Sequence, residues 1–171
     1  MKLSVREIAT FGFLGGLMYA SKIIMDILPN IHLICVFIIA ITAVYGKKAL
    51  YPIYIFVLLT GLFNGFNLWW IPYLYIWLPP FLITLLLPRK INSKLAPFIY
   101  AIICGLHGYL YGTLYAPFQA LAFGLNFKGM IAWIAAGLPF DLIHGTSNLI
   151  CGILIIPLIK LIRLCEKNLS R

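Results

Sequence analysis

IHLICVFIIAITAVYGKKALYPIYIFVLLTGLFNGF, residues 31–66, contains two apolar runs, Ile31 to Tyr45 and Ala49 to Phe66, parted only by a turn carrying Lys47 and Lys48. Side chains this uniformly apolar have no water-facing side, so each run reads as a helix surrounded by lipid or protein on every face. The paired lysines between them read as a loop held in water. Extending the same reading in both directions gives further spans at Ile8 to Leu28, Trp69 to Leu87, Ala96 to Ala116 and Gly137 to Ile162.

Composition agrees with that reading. Of 171 residues, 63% are hydrophobic and 10% charged, against about 45–50% and about 25% in soluble domains. A soluble fold is excluded. At roughly 20 residues per crossing plus a connection, the length leaves room for six or seven helices, so residues 1–171 are expected to form a single integral membrane domain. The first apolar stretch follows a charged flank, yet it contains Lys22 and Asp26 and lacks a clean cleavage site, so it reads as a retained helix. Cys35, Cys104, Cys151 and Cys165 form no C-x-x-C pair and imply neither a disulfide framework nor a zinc site. The histidines and carboxylates have no metal-ligand spacing, and no metal or cofactor is expected.

The charges orient the chain. There are 13 Lys and Arg against 4 Asp and Glu, an excess that in so apolar a chain anchors cytoplasmic loops and does not point to nucleic acid. Lys2 and Arg6 precede the first span, Lys47 and Lys48 join the second and third, and Arg89, Lys90 and Lys94 join the fourth and fifth. Lys160, Arg163, Lys167 and Arg171 follow the last, so eleven of the thirteen fall on one side. The positive-inside rule makes that side cytoplasmic. Both termini then lie inside, which requires an even number of crossings: an all-α bundle of six transmembrane helices. The segment Pro117 to Ala136 is apolar enough to make a seventh, which would export the basic tail. It is therefore expected as an outer-face helix or loop, or as an extension of its neighbours. Pro79-Pro80, inside the fourth span, should kink or open that helix.

Several constellations suggest chemistry. Gly12, Gly16 and Ala20, spaced by four, form a small-residue face on the first helix that permits close approach of another backbone. Gly61 to Gly65, and Gly108, Gly112 and Ala116, form similar seams, each equally explained by packing inside the bundle. Asp141, His144 and Asn148, at i, i+3 and i+7, share one helical face. A carboxylate in hydrocarbon is expensive, by about 2.5 kcal/mol or more, so Asp141 should face a wet cavity, a partner or the bundle interior. Its position just after Pro139 suggests the first turn of the last helix, where the helix dipole offsets its charge; a structural cap or a buried Asp–His pair would also explain it. Asn30, His32, Asn64, Asn67, Gln119, Asn126 and Lys128 converge on the outer half, and His107 shares a face with Tyr111. An outward-facing pocket with aromatic walls follows, its Trp and Tyr residues equally at home in an interfacial aromatic belt. No G-x-x-x-x-G-K-[ST] loop is present, so any ATP energy must come from partners, and neither H-E-x-x-H nor G-x-S-x-G occurs.

In its whole length the chain resembles the substrate-binding S components of energy-coupling factor (ECF) transporters, the vitamin importers of bacteria and archaea. The resemblance rests on the small six-helix plan, the seam at Gly12, Gly16 and Ala20, and the Pro-x-Asp sequence Pro139, Phe140, Asp141. His144 stands where several members carry a lysine, and Lys2 stands where the cobalt- and nickel-specific branch has a histidine. What the resemblance implies is a multi-pass protein of the bacterial plasma membrane that captures a vitamin or related micronutrient at its outer face. It would then dock, through Gly12, Gly16 and Ala20, on a membrane scaffold subunit coupled to two cytoplasmic ATPases, and would itself be no enzyme. Trp69, Trp70 and Tyr73 would offer stacking surface, Asn126 and Lys128 would close over the ligand, and Asp141, His144 and Asn148 would form the floor. The many aromatics and few charges favour a ring-bearing, largely neutral compound, such as cobalamin, a queuosine precursor, a flavin or a pyridoxine-like vitamin. The rival readings are a membrane enzyme using Asp141 and His144 as an acid/base pair, and a structural or assembly protein.

Overall fold

The computed structural model describes residues 3–88 and 91–169. Lys2, Arg89, Lys90 and Arg171, counted above among the orienting charges, lie outside the described residues. Eight α-helices and three short 3-10 segments make up the described fold, with no strand among them. Five continuous helical stretches are long and apolar enough to cross a membrane: Val5–Met25, Ile34–Asn64, Leu68–Leu86, Ala96–Phe123 and Phe127–Asn168.

Helix α1 (Val5–Met25) starts on a capping box: the Ser4 hydroxyl accepts from the Glu7 amide while the Glu7 carboxylate accepts from the Ser4 amide. The second stretch contains two helices, α2 (Ile34–Tyr45) and α3 (Leu50–Asn64), separated by Gly46, whose φ of 56° only glycine adopts cheaply. Contacts with α1 set their directions. Tyr45 packs edge-on against Phe11, and Lys48 pairs with Glu7, both in the first half of α1. Tyr19, further along α1, donates its hydroxyl to Asn64 at 3.2 Å. So α2 runs antiparallel to α1 and α3 parallel to it. Arg6 pairs with Glu166 at 2.6 Å and the Tyr45 hydroxyl donates to the same carboxylate at 2.8 Å, which brings the starts and ends of the described chain to one basic end.

The fourth expected span, Trp69 to Leu87, is helical only in part. Leu68–Leu74 is a 3-10 run and α4 comprises just Leu78–Leu86. Pro72 and the Pro79-Pro80 pair lack the amide donors that an α-helix needs at interior positions, so the helix begins at the double proline. The irregular half is tied down by side chains: the Trp70 indole donates to the Val57 carbonyl at 2.8 Å, the Tyr54 hydroxyl to Leu74 at 2.9 Å, and the Tyr75 hydroxyl to Leu114 at 3.0 Å. Non-helical backbone at membrane depth is tolerated where protein covers it in this way.

The expected helix Ala96 to Ala116 comprises α5 (Ala96–Tyr109) and the start of α6 (Tyr111–Phe123), which meet at a break on Leu110. Pro117 to Ala136 extends its neighbours: α6 continues to Phe123, Gly124 turns left-handed at φ 63°, and Asn126 caps α7 by accepting from the Gly129 amide at 2.9 Å. The last helix does not start at Gly137. Helix α7 (Phe127–Cys151) runs through Pro139, because the Asn126 cap and the apolar residues from Met130 onward establish it ten residues earlier. A short 3-10 turn, Gly152–Leu154, joins it to α8 (Ile155–Leu169). Between Ala116 and Asp141, the outer part of the α6–α7 hairpin, no described side chain is buried.

Helix α2 forms the centre, buried from Ile34 through Thr42, and packs on α4, α5 and α8. The tightest seam joins α5 to α7: a Cβ on Gly108 would stand 2.7 Å from the Gly145 Cα. The Gly108–Gly112 seam is therefore consumed inside the bundle. On α1 the opposite holds. A Cβ on Gly15 would lie 2.5 Å from Ile55, whereas Cβ atoms on Gly12 or Gly16 would meet nothing within 4 Å.

Candidate ligand-binding site

All three histidines of the chain meet in one place, although they lie at positions 32, 107 and 144. His32 sits in the loop between α1 and α2, His107 on α5 and His144 on α7. The His32 and His144 rings are 4.5 Å apart, centroid to centroid, and His107 is 6.4 Å from His144. Aromatic rings close the group: Tyr111 lies 4.7 Å from His144, and Trp77 lies 5.5 Å from His107 and stacks on Tyr73 at 5.3 Å. A cavity of about 250 Å³ opens against this wall, lined by His32, Tyr73, Trp77, Tyr111 and His144, with Lys22, Asp26 and Asn30 toward its mouth.

Local structure explains the convergence. The α1–α2 loop is pinned over α7 by Ser147, whose hydroxyl donates to the Asn30 carbonyl at 3.2 Å, and Asn30 itself takes a left-handed φ of 61°. Lys22 and Asp26 pair one turn apart at 3.1 Å, so the charges at the mouth neutralise each other. Starting α4 at the double proline places the indole of Trp77, its N-cap residue, inside the bundle. Burial, reinforced by the neighbouring His107 and Lys22, pushes the His32 imidazole down to about 4.

The polar inventory of this cluster is unbalanced. His107, His144 and Asn148 are 4%, 3% and 0% exposed. The His107 Nε2 lies 2.8 Å from the Ile76 carbonyl, which fixes Nε2–H as donor and leaves Nδ1 an acceptor in the neutral ring. Among the described residues that Nδ1 has no partner, nor do His32 Nδ1, His144 Nε2, Trp77 Nε1 or either end of the Asn148 amide. Each unmatched buried group costs about 1–3 kcal/mol. One cluster that concentrates so many is suited to a molecule bringing complementary donors and acceptors.

Asp141 has a different task. Both of its carboxylate oxygens accept from the Gly112 amide, at 3.0 and 3.1 Å. That amide belongs to the first turn of α6, so the carboxylate caps α6 across the helix pair and meets the positive end of its dipole. Gly112 is required there, since a Cβ would stand 2.5 Å from Asp141 Oδ2. No hydrogen bond or ion pair joins Asp141 to His144 among the described residues.

Of the expected site residues, the structure gathers Tyr73, Tyr111 and His144 at the cavity, with His107 and Asn148 buried behind them. It does not gather the others. Trp70 is turned toward α3 by its bond to Val57, and Trp69 presents its carbonyl to the Tyr115 hydroxyl. Asn67 is exposed ahead of the 3-10 run, and Asn126 and Lys128 sit at the exposed tip of the hairpin, where Asn126 is occupied as a helix cap. His32, noted only as an outer polar residue, and Trp77, not singled out, are site residues that sequence reasoning missed. Their shared signal was adjacency to proline-rich breaks, Pro29 and Pro79-Pro80. No group of three histidine, cysteine or carboxylate side chains among the described residues is arranged to hold a metal ion.

No protein-family model matches the chain, and no curated protein and no solved structure matches it either.

Proposed function

We propose that this chain is the substrate-binding membrane subunit of an ECF-type vitamin importer, with six crossings, cytoplasmic termini and a binding pocket in its outer half. The carrying observation is the cluster of His32, His107, His144, Trp77 and Asn148, with unmatched polar atoms in each side chain, beside a cavity of about 250 Å³. Directions support six crossings: the stretch Ile34–Asn64 reverses at Gly46, so it counts as two. With the basic end inside, the cavity mouth at Asn30 lies toward the outside.

The pocket selects by chemistry. The charged residues of its described lining, Lys22 and Asp26, are already paired, and the imidazoles of His32 and His144 with the indole N–H of Trp77 favour an uncharged ring with donors and acceptors on its edge. The volume is below the ~300–1,000 Å³ of drug-sized sites and suits a compound of about one or two rings, which disfavours cobalamin. At Gly12 and Gly16 of the face Gly12, Gly16 and Ala20 no atom of the described residues comes within 4 Å of an added Cβ, which fits docking on a scaffold subunit. An acid/base enzyme would need Asp141 beside His144, and Asp141 is engaged by Gly112.

The deciding experiment is affinity purification of the tagged chain from its host in mild detergent, with mass spectrometry of the proteins and small molecules retained. Two ATPases, a polytopic scaffold and a small heterocycle are expected. Recovery of the chain alone, from a host that encodes such partners, overturns the reading.

A further inference from the structure

A second cavity, of about 620 Å³, lies at the basic end of the bundle, far from the histidine cluster. It is enclosed by the last turn of α2, the Gly46–Lys47 turn, the end of α4, Tyr100 of α5 and Arg163 of α8. Three features separate it from an ordinary surface cleft. Lys47, from the α2–α3 turn, and Arg163, from α8, both line it, are both exposed, and neither is in an ion pair among the described residues. Glu166, the acidic residue closest in sequence to Arg163, is engaged by Arg6 and the Tyr45 hydroxyl and does not neutralise them. On α4 the Thr84 hydroxyl is buried, 6% exposed, and has no hydrogen-bond partner among the described residues, whereas Thr42 and Thr60 bond back to carbonyls of their own helices.

We propose that this cavity is a phosphate site filled from the lipid bilayer: it holds the headgroup of an anionic phospholipid of the leaflet at the basic end. The phosphate lies between Lys47 and Arg163, with the Thr84 hydroxyl as a further donor. Two cations, one from the α2–α3 turn and one from α8, supply charge, and a hydroxyl donor already desolvated costs nothing further to bury. A lipid, and not a soluble phosphate, is favoured by the walls. Leu85, Leu87 and Pro88 line one side, and the neighbouring Leu86, 82% exposed, continues that side as a surface for acyl chains. The proposal does not depend on what the histidine pocket binds.

The test uses the full-length protein, delipidated in detergent and titrated with phosphatidylglycerol, phosphatidylcholine or inorganic phosphate, with bound species read by native mass spectrometry. Phosphatidylglycerol should bind at about one per chain and in preference to phosphatidylcholine. Lys47→Gln and Arg163→Gln should each weaken it about fivefold, and Thr84→Val should weaken it while Lys128→Gln, at the opposite end, does not. Each variant is first checked for an unchanged elution profile and melting temperature. Equal retention of both lipids, or unchanged binding in Lys47→Gln and Arg163→Gln, overturns the site. Displacement of the lipid by millimolar inorganic phosphate overturns its assignment to a lipid headgroup.

Discussion

The carboxylate of Asp141 and the backbone amide of Gly112 form a cap that spans two helices: both oxygens of one side chain accept from one N–H, at 3.0 and 3.1 Å. In an unbroken helix that amide would bond to the Gly108 carbonyl one turn back. The break at Leu110 exposes it, and Asp141 takes it. Asp141→Ala should therefore destabilise the protein by about 2–3 kcal/mol, the value of a hydrogen bond to a charged group together with an amide left unmatched. Gly112→Ala should do comparable damage through the clash at Oδ2. Thermal unfolding in detergent measures both; an Asp141→Ala protein as stable as the parent would show that the contact is idle.

Removing an unmatched polar group should have the reverse effect. Asn148 is fully buried with neither amide atom bonded, so Asn148→Leu should raise the melting temperature of the ligand-free protein by a few degrees. It should also abolish ligand binding, as expected where a site is maintained at the expense of stability. If the variant melts lower, the amide is satisfied by something other than a ligand.

Acidification acts through His32. Its pKa is held down to about 4, from an ordinary value of 6.5, chiefly by burial. A depressed folded-state value means that the unfolded chain takes up the proton first. The stability associated with neutral His32 is then complete above about pH 6.5 and drains away as the pH falls toward 4. Comparing melting temperatures of the parent and His32→Gln between pH 7.5 and 4.5 isolates this from the carboxylates that titrate nearby. The parent should lose more stability than the variant; parallel curves would mean that the ring protonates freely.

Helix α1 offers a contrast within a single turn. Leucine at position 16 meets open space at its Cβ, whereas leucine at position 15 collides with Ile55 and the Pro52 carbonyl. Gly15→Leu should be unfolded or strongly destabilised, and Gly16→Leu should fold and bind ligand normally. On the proposed function, Gly16→Leu also loses uptake in whole cells, because its bulk holds a partner's backbone away. Normal uptake by Gly16→Leu would remove this face from docking.

Much of the helical plan is legible in the sequence because lipid leaves so few alternatives. Runs such as Ile31 to Tyr45 have to be helical over most of their length, as α2 is from Ile34, and Lys47 and Lys48 mark a turn whatever the packing. The small-residue faces were visible too, although spacing alone could not say that Gly108 and Gly112 press against α7 while Gly12 and Gly16 remain open. Pro79-Pro80 announced a disruption without revealing that the helix starts there and that Trp77 consequently points inward. Asp141 misled for a physical reason. Pro139 looks like a first-turn proline, but an earlier cap at Asn126 carries the helix through it, and the carboxylate caps another helix instead of its own. Above all, the meeting of His32, His107 and His144 is a tertiary event that no local pattern encodes.

The unbroken helical run from Phe127 to Asn168 comprises 42 residues, a contour of about 60 Å at 1.5 Å per residue. The hydrocarbon of a typical bilayer is about 30 Å thick. The run is therefore longer than one crossing needs, and Phe127 at its start and Phe123 at the end of α6 form an apolar tip, 73% and 60% exposed. In a membrane, such an excess of length makes bilayer thickness a variable that the protein has to accommodate, by tilt or by leaving its apolar tip in water.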